Sequence, residues 1–249
     1  MNILVCVKRV PETGARISLT QDAQAVDDTH LGHTISPHEE CAVEEALRIV
    51  AAHGGSTTVL TLGPPAAAEQ LRDALAMGID SAVLLETDGS DWDPQATATA
   101  IADAARGRAF DLLLFGNESA DAGGYQVGIR VAYALDLPVV TGAKGIELGD
   151  GTATVRREAG AGWEIFETPL PAVITVREGI NLPRYPSLPG RLKAKKAELA
   201  TSSPAPLTGG LAKVRLSVPQ DESTPVVVLG DGAAAAPRVV EVLQEIGVA

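Results

Sequence analysis

Short, unbroken apolar runs alternate with amphipathic stretches through the first half of the chain. Ile3–Val7, Thr58–Leu62, Ala82–Leu85 and Phe110–Phe115 each read as a strand buried on both faces. Between them, Val43, Ala46, Leu47 and Val50 form one apolar stripe, introduced by Ser36-Pro37-His38-Glu39 and closed by His53-Gly54-Gly55. Ser36 suits the cap, Pro37 the first helical position and Glu39 the return arm of a capping box. Further helices are expected from Gly63-Pro64-Pro65 to Gly78, from Asp93-Pro94 to about Arg106, and from about Tyr125 to Leu135. A short strand at Val139-Val140 follows, and Ile17–Val26 reads as a polar hairpin. Strands alternating with helices predict an α/β fold: an open, mostly parallel sheet with helices on both faces.

The pattern changes near residue 145. Thr152–Glu158, Trp163–Glu167 and Ala172–Val176 are short strands joined by turns, expected as an antiparallel extension. Residues 1–200 are thus expected as one α/β domain. Thr201–Gly210, rich in Ser, Pro and Gly, reads as a linker, and 201–249 as a C-terminal tail with a strand at Val226–Leu229 and a helix at Pro237–Ile246.

With 249 residues and 45% hydrophobic content the chain can bury a substantial core. A net charge of −12 disfavours nucleic acid and anionic lipid as partners. The opening apolar run is too short for a signal peptide, and no stretch approaches the roughly 18 apolar residues of a membrane span. A cytoplasmic protein without direct membrane insertion is expected. Cys6 and Cys41 fall at predicted buried positions and read as core packing.

Open parallel sheets bind ligands beyond the carboxyl ends of their strands. Four loops leave such ends: Lys8–Gly14, Gly63–Pro65, Glu86–Asp93 and Gly116–Gln126. The last runs from a buried strand into a helix, and its glycines let backbone amides approach an anion. An ordinary βα turn remains the alternative, since there is neither a Gly-x-Gly-x-x-Gly nor a Walker lysine. No catalytic set emerges: Ser119 lacks a nucleophile-elbow context, and His30 and His33 lack a third metal ligand. Glu44 and Glu45 read as the solvated face of their helix.

One segment is unlike the rest. Gly179–Lys196 carries Pro183, Pro186 and Pro189 within seven residues, each removing a backbone donor. Tyr185 and Leu188 are apolar where the backbone must lie near solvent, and Lys193, Lys195 and Lys196 follow. This is the composition of a stiff contact loop.

Several motifs together resemble the β subunit of electron transfer flavoproteins over most of residues 1–200. They are Val7-Lys8-Arg9-Val10-Pro11-Glu12, Ser36-Pro37 through Glu44-Glu45-Ala46-Leu47-Arg48, and Leu71-Arg72 through Ala74-Leu75-Ala76-Met77-Gly78-Ile79-Asp80. Pro183-Arg184-Tyr185 and Lys193-Ala194-Lys195-Lys196 complete the pattern. The resemblance implies a Rossmann-like, adenine-nucleotide-binding domain in a heterodimer whose α subunit holds most of an FAD. It implies an AMP in the β chain, or a second FAD in electron-bifurcating relatives. Electrons would come from acyl-CoA or other flavin dehydrogenases and leave to a quinone oxidoreductase or another acceptor, with no catalytic residue in this chain. A stand-alone adenine-nucleotide sensor is the rival reading.

By the same resemblance, Cys6 lies beside the adenine, Ser36, Pro37, His38, Glu39 and Leu62 line base and ribose, and Gly116, Asn117, Asp121, Gly123, Gly124, Tyr125, Gln126 and Val127 wrap ribose and phosphate. The chain departs from the family at Ala122-Gly123-Gly124, where acidic residues are usual, and at Tyr125-Gln126-Val127-Gly128, which replaces Asn-Gln-Thr-Gly. Thr13 stands where some members carry an aromatic residue near the flavin. The proline loop corresponds to the segment that docks dehydrogenases, with Tyr185, Leu188 and the three lysines as contacts.

Overall fold

A computed structural model describes residues 1–12, 14, 16–207, 209–219 and 226–248. They form two compact units, Met1–Arg215 and Leu216–Ala249. In chain order the first contains β1 (Asn2–Cys6), β2 (Arg9–Pro11), β3 (His33–Ile35), α1 (Pro37–His53), β4 (Ser56–Gly63), α2 (Ala68–Met77), β5 (Ser81–Glu86), α3 (Pro94–Ala105), β6 (Leu112–Gly116) and α4 (Val127–Leu135). It continues with β7 (Val139–Leu148), β8 (Thr152–Ala159), β9 (Gly162–Pro169), β10 (Ala172–Val176), α5 (Leu188–Lys196) and β11 (Ala200–Ser202).

Nine strands make one sheet in the order β11-β5-β4-β1-β6-β10-β7-β8-β9; β2 and β3 pair separately. The sheet is parallel from β11 to β7 and antiparallel from β7 to β9. Strand alternation divides the core. Ile3, Val5, Leu112 and Leu114 pack with α1 and α2 residues such as Val43, Ala46, Leu71 and Ala74. Leu4, Cys6, Leu113 and Phe115 point the other way and pack with Ala98, Ile101, Val131 and Ala132 of α3 and α4. Both faces of the central strands are buried, which is why they read as continuous apolar runs.

Three expectations change. Ala172–Val176 is not part of the antiparallel extension: it enters the parallel core between β6 and β7. Its five residues are all buried, as a central strand requires, and the antiparallel part of the nine-stranded sheet runs from the second half of β7 through the β8–β9 hairpin. The strand foreseen at Val139-Val140 extends to Leu148 because its second half pairs with β8. Thr201 and Ser202, read as linker, instead pair with Leu84 and Leu85 of β5 as the sheet's edge.

Leu216–Ala249 contains α6 (Ala236–Glu245), close to the expected helix. Val226–Leu229 is irregular; no neighbouring strand among the described residues pairs with it. At the other end, Leu19 and Val26 form a single antiparallel bridge, the expected hairpin in its briefest form.

Candidate functional site

The chain runs from β1 outward to β4 and β5, then returns to β6 on the other side of β1. Loops at such a reversal diverge and leave a crevice. A cavity of about 460 Å³ lies here, and residues from all four loops singled out in the sequence line it. Its lining combines apolar side chains, Val7, Leu62, Ile101 and Phe115 among them, with the polar Gly116–Gly128 stretch leading into α4.

Of the residues assigned by resemblance, Cys6, Glu39, Leu62, Gly116, Asn117, Asp121, Gly124, Tyr125, Gln126 and Val127 come together around this cavity. Ser36, Pro37, His38 and Gly123 stand outside its lining. Thr13 lies outside the described residues. The capping box does not form. Pro37 takes the first helical position, but Ser36 makes no side-chain cap and its Oγ is buried without a partner among the described residues. Glu39 turns instead to the end of β1, accepting the Lys8 N–H at 2.8 Å.

Burial dominates the electrostatics at this wall. It pushes the Glu39 carboxyl up to about 8, against the Lys8 donation, so the group is mostly protonated at neutral pH. Burial, with Glu39 nearby, likewise pushes the Cys6 thiol up, leaving it neutral. Burial also holds the His38 imidazole below the usual histidine range, despite Glu118 3.7 Å away. Burial would raise the Asp121 carboxyl, but the Lys8 ammonium at 2.6 Å outweighs it and holds the group below the usual carboxylate range.

The Gly116–Gly128 stretch carries donors beside the acids Glu118 and Asp121. Gln126 Oε1 accepts from Arg130 Nε at 3.1 Å and from a second Arg130 nitrogen at 2.9 Å, so its remaining capacity is as a donor. Asn117 is fixed similarly: Thr175 Oγ1 donates to its Oδ1 at 2.7 Å while accepting the Gly142 N–H at 3.0 Å. Glycine serves packing here as much as ligand approach. A Cβ at Gly116 would lie 2.5 Å from Glu39 Cγ, and one at Gly128 would lie 2.9 Å from Thr175 Cγ2. Tyr125, an exposed non-glycine residue, adopts a left-handed conformation at φ 55°. Among the described residues no cluster of His, Cys, Asp or Glu is arranged to hold a metal ion.

A second groove of about 360 Å³ was not foreseen from the sequence. It shares Asn117, Glu118 and Tyr125 with the first cavity and adds Arg157 and Arg177 from strands brought in by β7, β8 and β10. Its residues lie far apart in sequence and carry no local signal.

The proline segment is exposed, as its composition foretold. Tyr185 is 96% accessible, Leu182 90% and Leu188 71%. Leu188 does not lie on an irregular contact loop, however. It opens α5, with Ser187 Oγ accepting the Gly190 N–H at 3.1 Å and Pro189 in the first turn. Lys193, Lys195 and Lys196 are exposed on α5. Leu182 and Leu192 extend the apolar surface and were missed.

Glu44 and Glu45 overturn their assignment to a solvated face: both are buried, at 5% and 6% accessibility. Arg184 donates to Glu44 through its backbone N–H at 3.1 Å and its guanidinium at 2.7 and 2.9 Å. Burial would raise the Glu44 carboxyl, but these donations hold it below the usual range. The Asn181 amide bridges Cys41 O at 3.0 Å and Glu45 Oε2 at 2.9 Å.

The electron transfer flavoprotein domain family matches residues 24–207. The β subunit of the electron transfer flavoprotein of Bacillus subtilis is 37% identical over 201 residues, covering 80% of this chain and 77% of that one. The Syntrophomonas wolfei β subunit is 36% identical over 220 residues, covering 88% and 86%. That of Mycobacterium tuberculosis is 41% identical over 205 residues, covering 80% and 77%. No helix among the described residues is long and apolar enough to cross a membrane. Fold, motifs and relatives agree, and the chain belongs to the electron transfer flavoprotein family as one of its β subunits.

Proposed function

We propose that this chain pairs with an α subunit to form a heterodimeric electron carrier, with FAD held mainly by the α subunit and a structural AMP in the cavity at the β1/β6 switch point. The observation carrying the nucleotide assignment is that one cavity brings apolar side chains and neutral buried groups together with side-chain and backbone donors. Its apolar side chains, with the protonated Glu39 and the neutral Cys6 thiol, suit an uncharged heteroaromatic base. Its Gly116–Gly128 stretch offers Asn117 and Gln126 as donors, with backbone amides leading into α4, and suits a phosphate. The missing Asn and Thr of the family's Asn-Gln-Thr-Gly are offset by Arg130, which polarises Gln126 toward donation. The nucleotide does no chemistry in this reading.

FAD supplies the redox chemistry when bound. This chain's own residues shape one wall of that site, for which the groove through Arg157 and Arg177 is the candidate. The 179–196 segment docks flavin dehydrogenases, acyl-CoA dehydrogenases among them, and the reduced carrier passes electrons to a quinone oxidoreductase or another acceptor. The chain contributes surface and position to these transfers, acting as a carrier rather than an enzyme. Residues 1–200, with the edge strand β11 that runs on to Ser202, form the nucleotide domain, and the chain beyond it to 249 is a tail that packs on the α subunit.

Co-expression with an α subunit, followed by release and quantification of bound cofactors, tests the assignment. One FAD and one AMP per heterodimer are expected. Two FAD per heterodimer would replace the AMP reading with electron bifurcation, and a stable flavin-free monomer that binds ATP would overturn the heterodimer.

A further inference from the structure

Residues 179–187 present Leu182 and Tyr185 almost fully to solvent without belonging to any strand or helix. A segment with so little backbone pairing stays in one shape only if side chains hold it. The holders come from behind. Glu44, on the second turn of α1, receives three hydrogen bonds from Arg184, including its backbone N–H. Beside it on α1, Glu45 and the Cys41 carbonyl share the Asn181 amide. The α5 end is held separately. An Arg72 guanidinium nitrogen donates to Ala194 O at 2.5 Å and Ala197 O at 3.2 Å, satisfying carbonyls at the negative end of that helix. Gly190 lets α5 approach α2, since a Cβ there would fall 2.5 Å from the Ala76 carbonyl oxygen.

We propose that Glu44 and Glu45, with Arg72, are positioning residues that set the shape of the 179–196 segment before a partner arrives. Two carboxylates buried on a helix and spent on a loop's amide, guanidinium and backbone N–H give that loop a defined path. A preformed apolar surface then binds with less ordering cost than a mobile one. The link to partner binding rests on reading the segment as the dehydrogenase contact; the shape-setting role does not.

The test uses the heterodimer with Glu44→Gln, Arg184→Ala, Arg184→Lys and, as a control on the docking reading, Leu188→Ala. Hydrogen exchange followed by mass spectrometry is read over residues 179–190 and over β1, β4 and β6. Glu44→Gln is expected to speed exchange in 179–190 by about tenfold, from the loss of charge-assisted bonds, while the three strands keep their protection. Arg184→Lys is expected to recover part of what Arg184→Ala loses. With a dehydrogenase, Glu44→Gln is expected to raise the KM for the carrier several-fold and leave kcat in place. Unchanged exchange in 179–190, or an equal rise in the central strands, would overturn the inference. A raised KM in Leu188→Ala without one in Glu44→Gln would also overturn it. An unchanged KM in Leu188→Ala would instead overturn the docking reading, and the exchange result would still decide the positioning role.

Discussion

The cavity and the 179–196 segment are built in opposite senses. At the cavity, the groups on the β1–α1 wall are buried, and burial itself sets their protonation: Glu39 and Cys6 are held neutral by the loss of water around them. At the segment, the residues that would meet a partner are exposed, and the Glu44 carboxylate lies underneath, held ionised by donors from Arg184. One helix serves both. The first turn of α1 provides Glu39 to the cavity, and its next turns provide Cys41, Glu44 and Glu45 to the segment. Changes that unseat α1 should therefore damage both regions, whereas changes beyond it should damage one.

Gly116→Ala breaks the comparison most severely. The new Cβ would meet Glu39 Cγ at 2.5 Å and His38 Cβ at 3.3 Å, forcing the start of α1 off β6. A loss of about 1–3 kcal/mol of stability is expected, the usual cost of overpacking. Nucleotide content and dehydrogenase turnover should fall together; denaturant unfolding and nucleotide quantification measure this.

Glu39→Gln reaches the cavity alone and sharpens the electrostatic half of the comparison. The folded state keeps the Glu39 proton to about pH 8, while the unfolded chain releases it near its ordinary value of 4.5. Between these pH values the folded state binds more protons, so this group makes stability fall as pH rises, by at most about 1.4 kcal/mol per pH unit. The glutamine variant, which keeps an oxygen for the Lys8 N–H, should lose that component of the slope. Unfolding curves at pH 5, 6.5 and 8 compare the two proteins; identical slopes would show that Glu39 is ionised in the folded state.

Much of this organisation was legible in the sequence, for identifiable reasons. The central strands were clear because burial on both faces leaves them uniformly apolar, and α3 because Asp93 caps it in fact, accepting the Ala96 N–H at 2.7 Å. The insertion of Ala172–Val176 between β6 and β7 was not legible: a buried strand carries no mark of which neighbours it will have. Glu44 and Glu45 were misread because two adjacent acids on a helix ordinarily face water; their partners lie about 140 residues away, where Asn181 and Arg184 give no local sign of the pairing. The apolar surface was partly readable. Leu182, Tyr185 and Leu188 recur every three residues, the repeat of an extended proline-rich segment, and Leu192 follows one helical turn later on α5.

The central claim is that ligand holding and partner docking occupy separable parts of this chain. The most direct measurement uses the Leu188→Ala heterodimer, in which an exposed side chain is removed with an expected change in stability within about 0.5 kcal/mol. Flavin and nucleotide content are quantified on the same preparation used to follow reduction by a dehydrogenase. Full cofactor content with slowed electron transfer is the predicted result. Loss of flavin or nucleotide from that variant would contradict the claim, because it would make the 179–196 segment part of the cofactor site.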